Sequence, residues 1–284
     1  MNFNVDSLKE KFNSFKQNKT TKATGGGGNK DWFWSSKDET KYFRLLAFPD
    51  GELFKEYSIH YGLDVEDDGS ERGKDSPFLC PWRNFGEDNP IHKWANELWN
   101  DDESTEEHKN LAKKLWPTQR FIFAGLERGR ESDGPKLWSV SNDTFSELVQ
   151  DFVLNDEWGD FVGEKAHDVK VTAEMKRNPN TGQSFKITNV GGRPTKTKLC
   201  PPELEKDCAA LQDAIPNPDD IFRRVTTAQC NSILETFMAK KYSHLLEEKS
   251  DKESKKYGSR SKEELQKKFD DAKAKAPDDE DIPF

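Results

Sequence analysis

Apolar residues are scarce in this chain: 32% of its 284 residues are hydrophobic and 34% are charged, so a real core must coexist with a large share of surface or tail. No apolar run approaches the length of a membrane span, and the opening Met1-Asn2-Phe3-Asn4-Val5-Asp6 has no apolar signal-peptide stretch, so a cytosolic protein with no membrane partner is expected. Cysteine is sparse too. Cys80, Cys200, Cys208 and Cys230 form no CxxC pair, and in a reducing compartment thiols or a metal ligand are expected rather than disulfides. Signatures of catalysis are also missing. There is no P-loop, zincin helix or nucleophile elbow, and His60, His92, His108, His167 and His244 stand at no triad motif, so no enzyme is expected.

Charge is plentiful but unevenly placed. With 44 basic and 53 acidic residues the net charge is −9, which disfavours a polyanionic ligand for the chain as a whole. The acids concentrate in Asp64 to Asp75, Glu87 to Glu107 and the terminal run, whereas Lys165 to Lys198 is basic and leaves room for a local cationic groove. Eight tryptophans and nineteen phenylalanines are many for so polar a chain, and ligand-stacking rings would account for the excess.

Composition divides the chain. Residues 1–30 read as an arm: Val5, Leu8, Phe12 and Phe15 recur at helical spacing, Ser7 and Glu10 form a capping box, and a basic stretch from Lys16 to Lys22 leads into Gly25 to Gly28. Four glycines in a row make a linker, and the amphipathic turn is a candidate for self-association. Residues 31–200 read as the core, 201–246 as a helical segment, with Leu204 to Leu211 and Ile221 to Leu246 at helical spacing, and 247–284 as a charged tether too poor in apolar area to fold alone.

The core reads mostly as β structure. Lys41 to Pro49 is a strand turned by Asp50-Gly51, Arg120 to Gly125 another, and Leu137 to Val140 its return strand. Asp168 to Met175 pairs with Gln183 to Val190 across residues 176–182, with Val169, Val171, Ala173, Phe185 and Ile187 expected on the core face and Lys170, Thr172, Lys186 and Thr188 outside. Phe145 to Phe152 and Lys93 to Leu115 look helical. The sum is an α+β chain built on a five-stranded, partly open barrel of the oligonucleotide-binding (OB) type with helical insertions.

Trp116, Arg120, Phe121, Phe123, Arg128, Arg130, Lys136 and Trp138 alternate rings with cations, which suits flat bases on a charged backbone. Tyr42, Arg44, Lys170, Lys176, Arg177, Lys186 and Arg193 extend the expected DNA-binding set. Single-stranded nucleic acid is the expected partner.

The chain closes on Asp278-Asp279-Glu280-Asp281-Ile282-Pro283-Phe284. Phe284 can enter a hydrophobic pocket while its carboxylate and the aspartates meet a basic rim. This tip resembles the end of bacterial single-stranded DNA-binding proteins, which implies recruitment of replication and recombination enzymes.

A second resemblance runs through Phe43-Arg44-Leu45-Leu46-Ala47-Phe48-Pro49, Tyr57-Ser58-Ile59-His60-Tyr61-Gly62, Cys80-Pro81 and Asn89-Pro90-Ile91-His92. It is similar to the single-stranded DNA-binding proteins of tailed phages, the gene-32 class. The likeness implies a protein that coats single strands during phage DNA replication, recombination and repair in the host cytoplasm. It also implies a structural zinc site within residues 57–95. His60, Cys80 and His92 match three ligand positions, while Asn89 stands at the remaining one and is a poor zinc ligand. Either another residue completes the site, or it has become a hydrogen-bonded cluster without metal.

Two other readings stay open. Asp168, Glu174 and Lys176 have the spacing of a magnesium-dependent nuclease, and a replication adaptor would bind proteins alone.

Overall fold

The structure, a computed structural model, describes residues 32–33, 39–66, 77–177, 179, 182, 184–202, 204 and 208–245. The expected arm, the tether and the acidic tip lie outside them. The strands are β1 (Thr40–Leu46), β2 (Phe54–His60), β3 (Phe78–Leu79), β4 (Thr118–Glu127), β5 (Lys136–Val140), β6 (Lys165–Ala166), β7 (Val169–Arg177), β8 (Ser184–Gly192) and β9 (Thr197–Lys198). The helices are α1 (Pro81–Phe85), α2 (Pro90–Asn100), α3 (Glu106–Leu115), α4 (Asn142–Glu147) running into a π-helical stretch (Leu148–Val153), α5 (Cys208–Asp213), α6 (Pro218–Ile221) and α7 (Thr227–Lys241).

β4 organises the fold. From Arg120 to Glu127 every residue is buried, the pattern of a strand covered on both faces. Its first half pairs with β2 and its second half with β1, from Leu46 opposite Ala124 to Phe43 opposite Glu127, while β5 takes the other edge. Gly125 permits the close approach of β1: a Cβ there would lie 2.2 Å from the Arg44 carbonyl oxygen. The β1–β2 turn forms at Asp50-Gly51 as the sequence predicts, because Gly51 takes φ 83° and its N–H closes on the Phe48 carbonyl.

The seven-stranded sheet runs β3-β2-β4-β1-β7-β8, with β5 branching from β4 and every ladder antiparallel. Its end strands β3 and β8 do not pair among the described residues, so this is an open α+β sheet and not a closed barrel.

The β7–β8 hairpin forms with the expected pairing of segments but not the expected faces. Val171 lies opposite Val190 and Ala173 opposite Thr188, whereas Ile187 lies opposite the outward Glu174 and Phe185 opposite Lys176. Cross-strand partners share a face, so Thr188 is inward and Ile187 outward, a reversal of the alternation read on the second strand.

Three apolar clusters result. One packs Phe43, Phe121, Phe123 and Trp138 beneath Phe145 and Leu148. A second covers the opposite side of β4 at Ile122, Ala124 and Leu126 with Leu199, Cys200 and Ile215. The third joins the insertion between β2 and β4, through Phe78, Ile91, Leu111 and Leu115, to Cys230, Ile233 and Phe237 of α7. The helix expected from Ile221 to Leu246 is broken between α6 and α7, where Thr226 caps α7 in a capping box with Gln229.

The cysteine expectation is corrected. Cys200 and Cys208 are joined, their Cα atoms 5.9 Å apart, while Cys80 and Cys230 are buried thiols. Folding brings the pair into bridging range although no motif marks it.

Candidate nucleic-acid interface

Asp168, between β6 and β7, is wholly buried and gathers three guanidinium groups. Arg44 on β1 donates Nε at 2.9 Å to Oδ1 and Arg128 donates Nε at 2.9 Å to the same oxygen, while Arg193 Nη1 lies 3.4 Å from Oδ2 and Thr197 Oγ1 donates to it at 3.0 Å. The three differ in what else they hold. Arg44 is fully buried, gives Nη2 to the carbonyls of Ala166 and Thr197, and is pulled down to about 10 by burial against the opposing pull of Asp168. Arg128 ties down the β9 segment through Leu199 O, Lys198 O and Thr197 Oγ1. Arg193 instead remains 42% exposed.

Arg193 also covers an aromatic face, its Cζ 5.2 Å from the centroid of the Tyr42 ring. Tyr42 pairs in register with the exposed Lys170, and Lys170 pairs with Gly191, whose missing side chain leaves the surface beside Lys170 open. Tyr42, Lys170 and Arg193 therefore form a ring-and-cation strip on the outer side of β1 and β7. It continues into a cleft of about 350 Å³ lined by Arg128, Glu131, Arg193, Thr197 and Lys198.

Of the residues expected to bind DNA, the fold brings Tyr42, Arg44, Arg128, Lys170 and Arg193 together. Phe121, Phe123 and Trp138 are corrected: they are 1%, 0% and 5% exposed, with Phe121 and Phe123 packed on Phe145 and Trp138 on Phe43 and Phe123, because the strands that carry them are covered by core. Arg120 is buried on the Tyr61 ring, and Lys136 is buried between Glu127 and Asp133. Arg130 is exposed but paired with Asp133, and Trp116 is half-buried against Trp99. Lys176 and Arg177 are exposed at the far end of the β7–β8 hairpin. Lys186 pairs with Met175 through its backbone, and its side chain lies outside the described part of the structure. The tip Asp278 to Phe284 is likewise outside it.

The nuclease grouping does not converge. Asp168 is saturated by arginines and Thr197, and Glu174 is six residues along an extended strand, roughly 20 Å away.

The zinc positions do meet, in an unexpected way. His60 and Cys80 are fully buried, and Asn89 Nδ2 lies 3.1 Å from His60 Nε2 and 3.2 Å from Cys80 Sγ. The amide is oriented by its other end, since Oδ1 caps α2 by accepting from Ile91 N and His92 N. An amide nitrogen can only donate, so His60 Nε2 accepts and the ring proton sits on Nδ1. Burial holds His60 neutral, its pKa down to about 3, and pushes the Cys80 thiol up. The fourth position fails as well: the His92 ring stacks on Trp82 with centroids 4.2 Å apart. Among the described residues no three His, Cys, Asp or Glu side chains converge as metal ligands, so the zinc set implied by the phage resemblance does not fit this cluster.

Several features of the surface carry no local sequence motif. Among the described residues Trp82, Phe85 and Trp99 are the exposed aromatics, with Arg83 over Trp82 at 4.5 Å and Arg224 over Phe85 at 4.0 Å. Thr197 and Lys198 line the cleft where Arg44 and Arg128 hold their segment. Among the described residues no helix is long and apolar enough to cross a membrane. No protein-family model matches the chain, and no curated protein matches it.

Proposed function

We propose that the protein binds single-stranded DNA with little sequence preference through the Tyr42, Lys170 and Arg193 strip and the adjoining basic cleft. The observation that carries this reading is the gathering of Arg44, Arg128 and Arg193 around the carboxylate of Asp168, with Glu131 also on Arg128, beside the half-buried Tyr42 ring. Such a surplus of fixed positive charge attracts a phosphate backbone in a chain whose net charge is −9, and the ring supplies a face for any base. The role is that of a coating protein in phage DNA replication, recombination and repair within the host cytoplasm. The finer architecture that belongs to this reading is an OB-type barrel opened into the seven-stranded sheet. The acidic Ile-Pro-Phe tip serves partner enzymes, and the amino-terminal arm serves self-association.

The test is fluorescence anisotropy of a labelled oligo-dT titrated at several salt concentrations. Affinity is expected to fall log-linearly with salt, with a slope of about −0.7 for each phosphate contacted, and to be similar for mixed-sequence strands. No binding at low salt would overturn the reading.

A further inference from the structure

We infer that Arg193 and Tyr42 form a one-nucleotide subsite in which Arg193 exchanges its contact with Asp168 for a backbone phosphate while Tyr42 stacks the adjoining base; the inference rests on the single-strand reading above. Asp168 acts here as the positioning residue. Its contacts to Arg44, Arg128 and Thr197 span 2.9 to 3.0 Å, and the contact to Arg193 is the longest at 3.4 Å. That carboxylate stays fully paired when Arg193 leaves, since two guanidinium groups and a hydroxyl remain on it. Arg44 and Arg128 cannot make the exchange, because Arg44 is fully buried and Arg128 is held on the carbonyls of Lys198 and Leu199. Among the described residues Arg193 has no acceptor other than Asp168, and it opens on the cleft of about 350 Å³. The same guanidinium lies on the Tyr42 ring, so its departure toward a phosphate uncovers the face that a base needs. Ring and cation are thus coupled: one movement prepares both contacts. Lys170, opposite Tyr42 in register, adds positive charge on the neighbouring strand.

The experiment compares wild type, Arg193→Ala and Tyr42→Ala on oligo-dT and on an abasic strand of equal length, across a salt series, with melting temperatures to confirm folding. Arg193→Ala is expected to weaken binding to both strands about tenfold at low salt and to reduce the salt slope by about 0.7, one phosphate. Tyr42→Ala is expected to weaken oligo-dT binding about tenfold with the slope unchanged, and to leave abasic-strand binding within about twofold of wild type. Side-chain ¹⁵Nε resonances of Arg193 are expected to shift on adding oligo-dT while those of Arg44 stay fixed. The inference falls if wild type binds but Arg193→Ala keeps the full slope, or if Tyr42→Ala weakens both strands equally. Failure of the wild type itself to bind would instead remove the single-strand reading.

Discussion

Asn89 and His60 are joined by a buried hydrogen bond, amide Nδ2 to imidazole Nε2 at 3.1 Å, and the same amide nitrogen reaches Cys80 Sγ. One neutral side chain caps a helix and ties two strands' ends to it. Asn89→Ala would remove the cap, for about 1 kcal/mol, and strand a buried imidazole and thiol, for about 1–3 kcal/mol more. Urea denaturation is expected to show that loss. Purified wild type is expected to melt identically with and without a chelator, and a drop in melting temperature on chelation would refute the amide-held arrangement.

Phe121 stacks on Phe145 with centroids 3.7 Å apart and an interplanar angle of 8°, deep in the first apolar cluster. Phe121→Ala is therefore expected to cost about 3–5 kcal/mol of stability through the cavity it leaves. Folded variant at low temperature is expected to bind oligo-dT as wild type does. A stable variant with selectively lost binding would return this ring to the interface.

The Cys200–Cys208 bridge predicts a thiol count. Four cysteines less one bridge leave two thiols titratable in denaturant without reductant, and four after reduction. Closing so short a loop contributes about 2.5 kcal/mol on the chain-entropy account, so Cys208→Ser is expected to lower the denaturation midpoint accordingly. Four thiols in the unreduced protein would exclude the bridge.

Glu127 is buried between Lys41 Nζ and Lys136 Nζ, each at 2.9 Å. Burial alone would raise its pKa, but the two lysines together hold it below the ordinary 4.5. The unfolded chain then binds this proton more readily than the folded one, so the stabilisation is present above the ordinary value and is lost as pH falls through the lowered one. Glu127→Gln is expected to be less stable at neutral pH by about 1–3 kcal/mol and to show a flatter acid limb below pH 4.5. Parallel acid limbs for variant and wild type would contradict the pairing.

Local chemistry was legible in the sequence. The Asp50-Gly51 turn, the pairing of β4 with β5 and the β7–β8 segments follow from alternation and turn residues, which act over a few positions. The clustering of His60, Cys80 and Asn89 could be read only through a resemblance to phage proteins, because the three are distant in the chain; the structure added that the asparagine bridges the other two. What alternation could not settle was which strand faces were covered twice. The rings of Phe121, Phe123 and Trp138 looked available, yet α4 and the π-helical stretch close one side of the sheet and the segment around Leu199 closes the other. Register at β8 depended likewise on pairing with β7, where a one-residue offset reverses every side chain. The convergence of Arg44, Arg128 and Arg193 on Asp168 was decided by tertiary structure alone. A buried carboxylate draws cations from wherever the fold delivers them, here from positions 124, 40 and 25 residues away in sequence, and no local pattern encodes that distance.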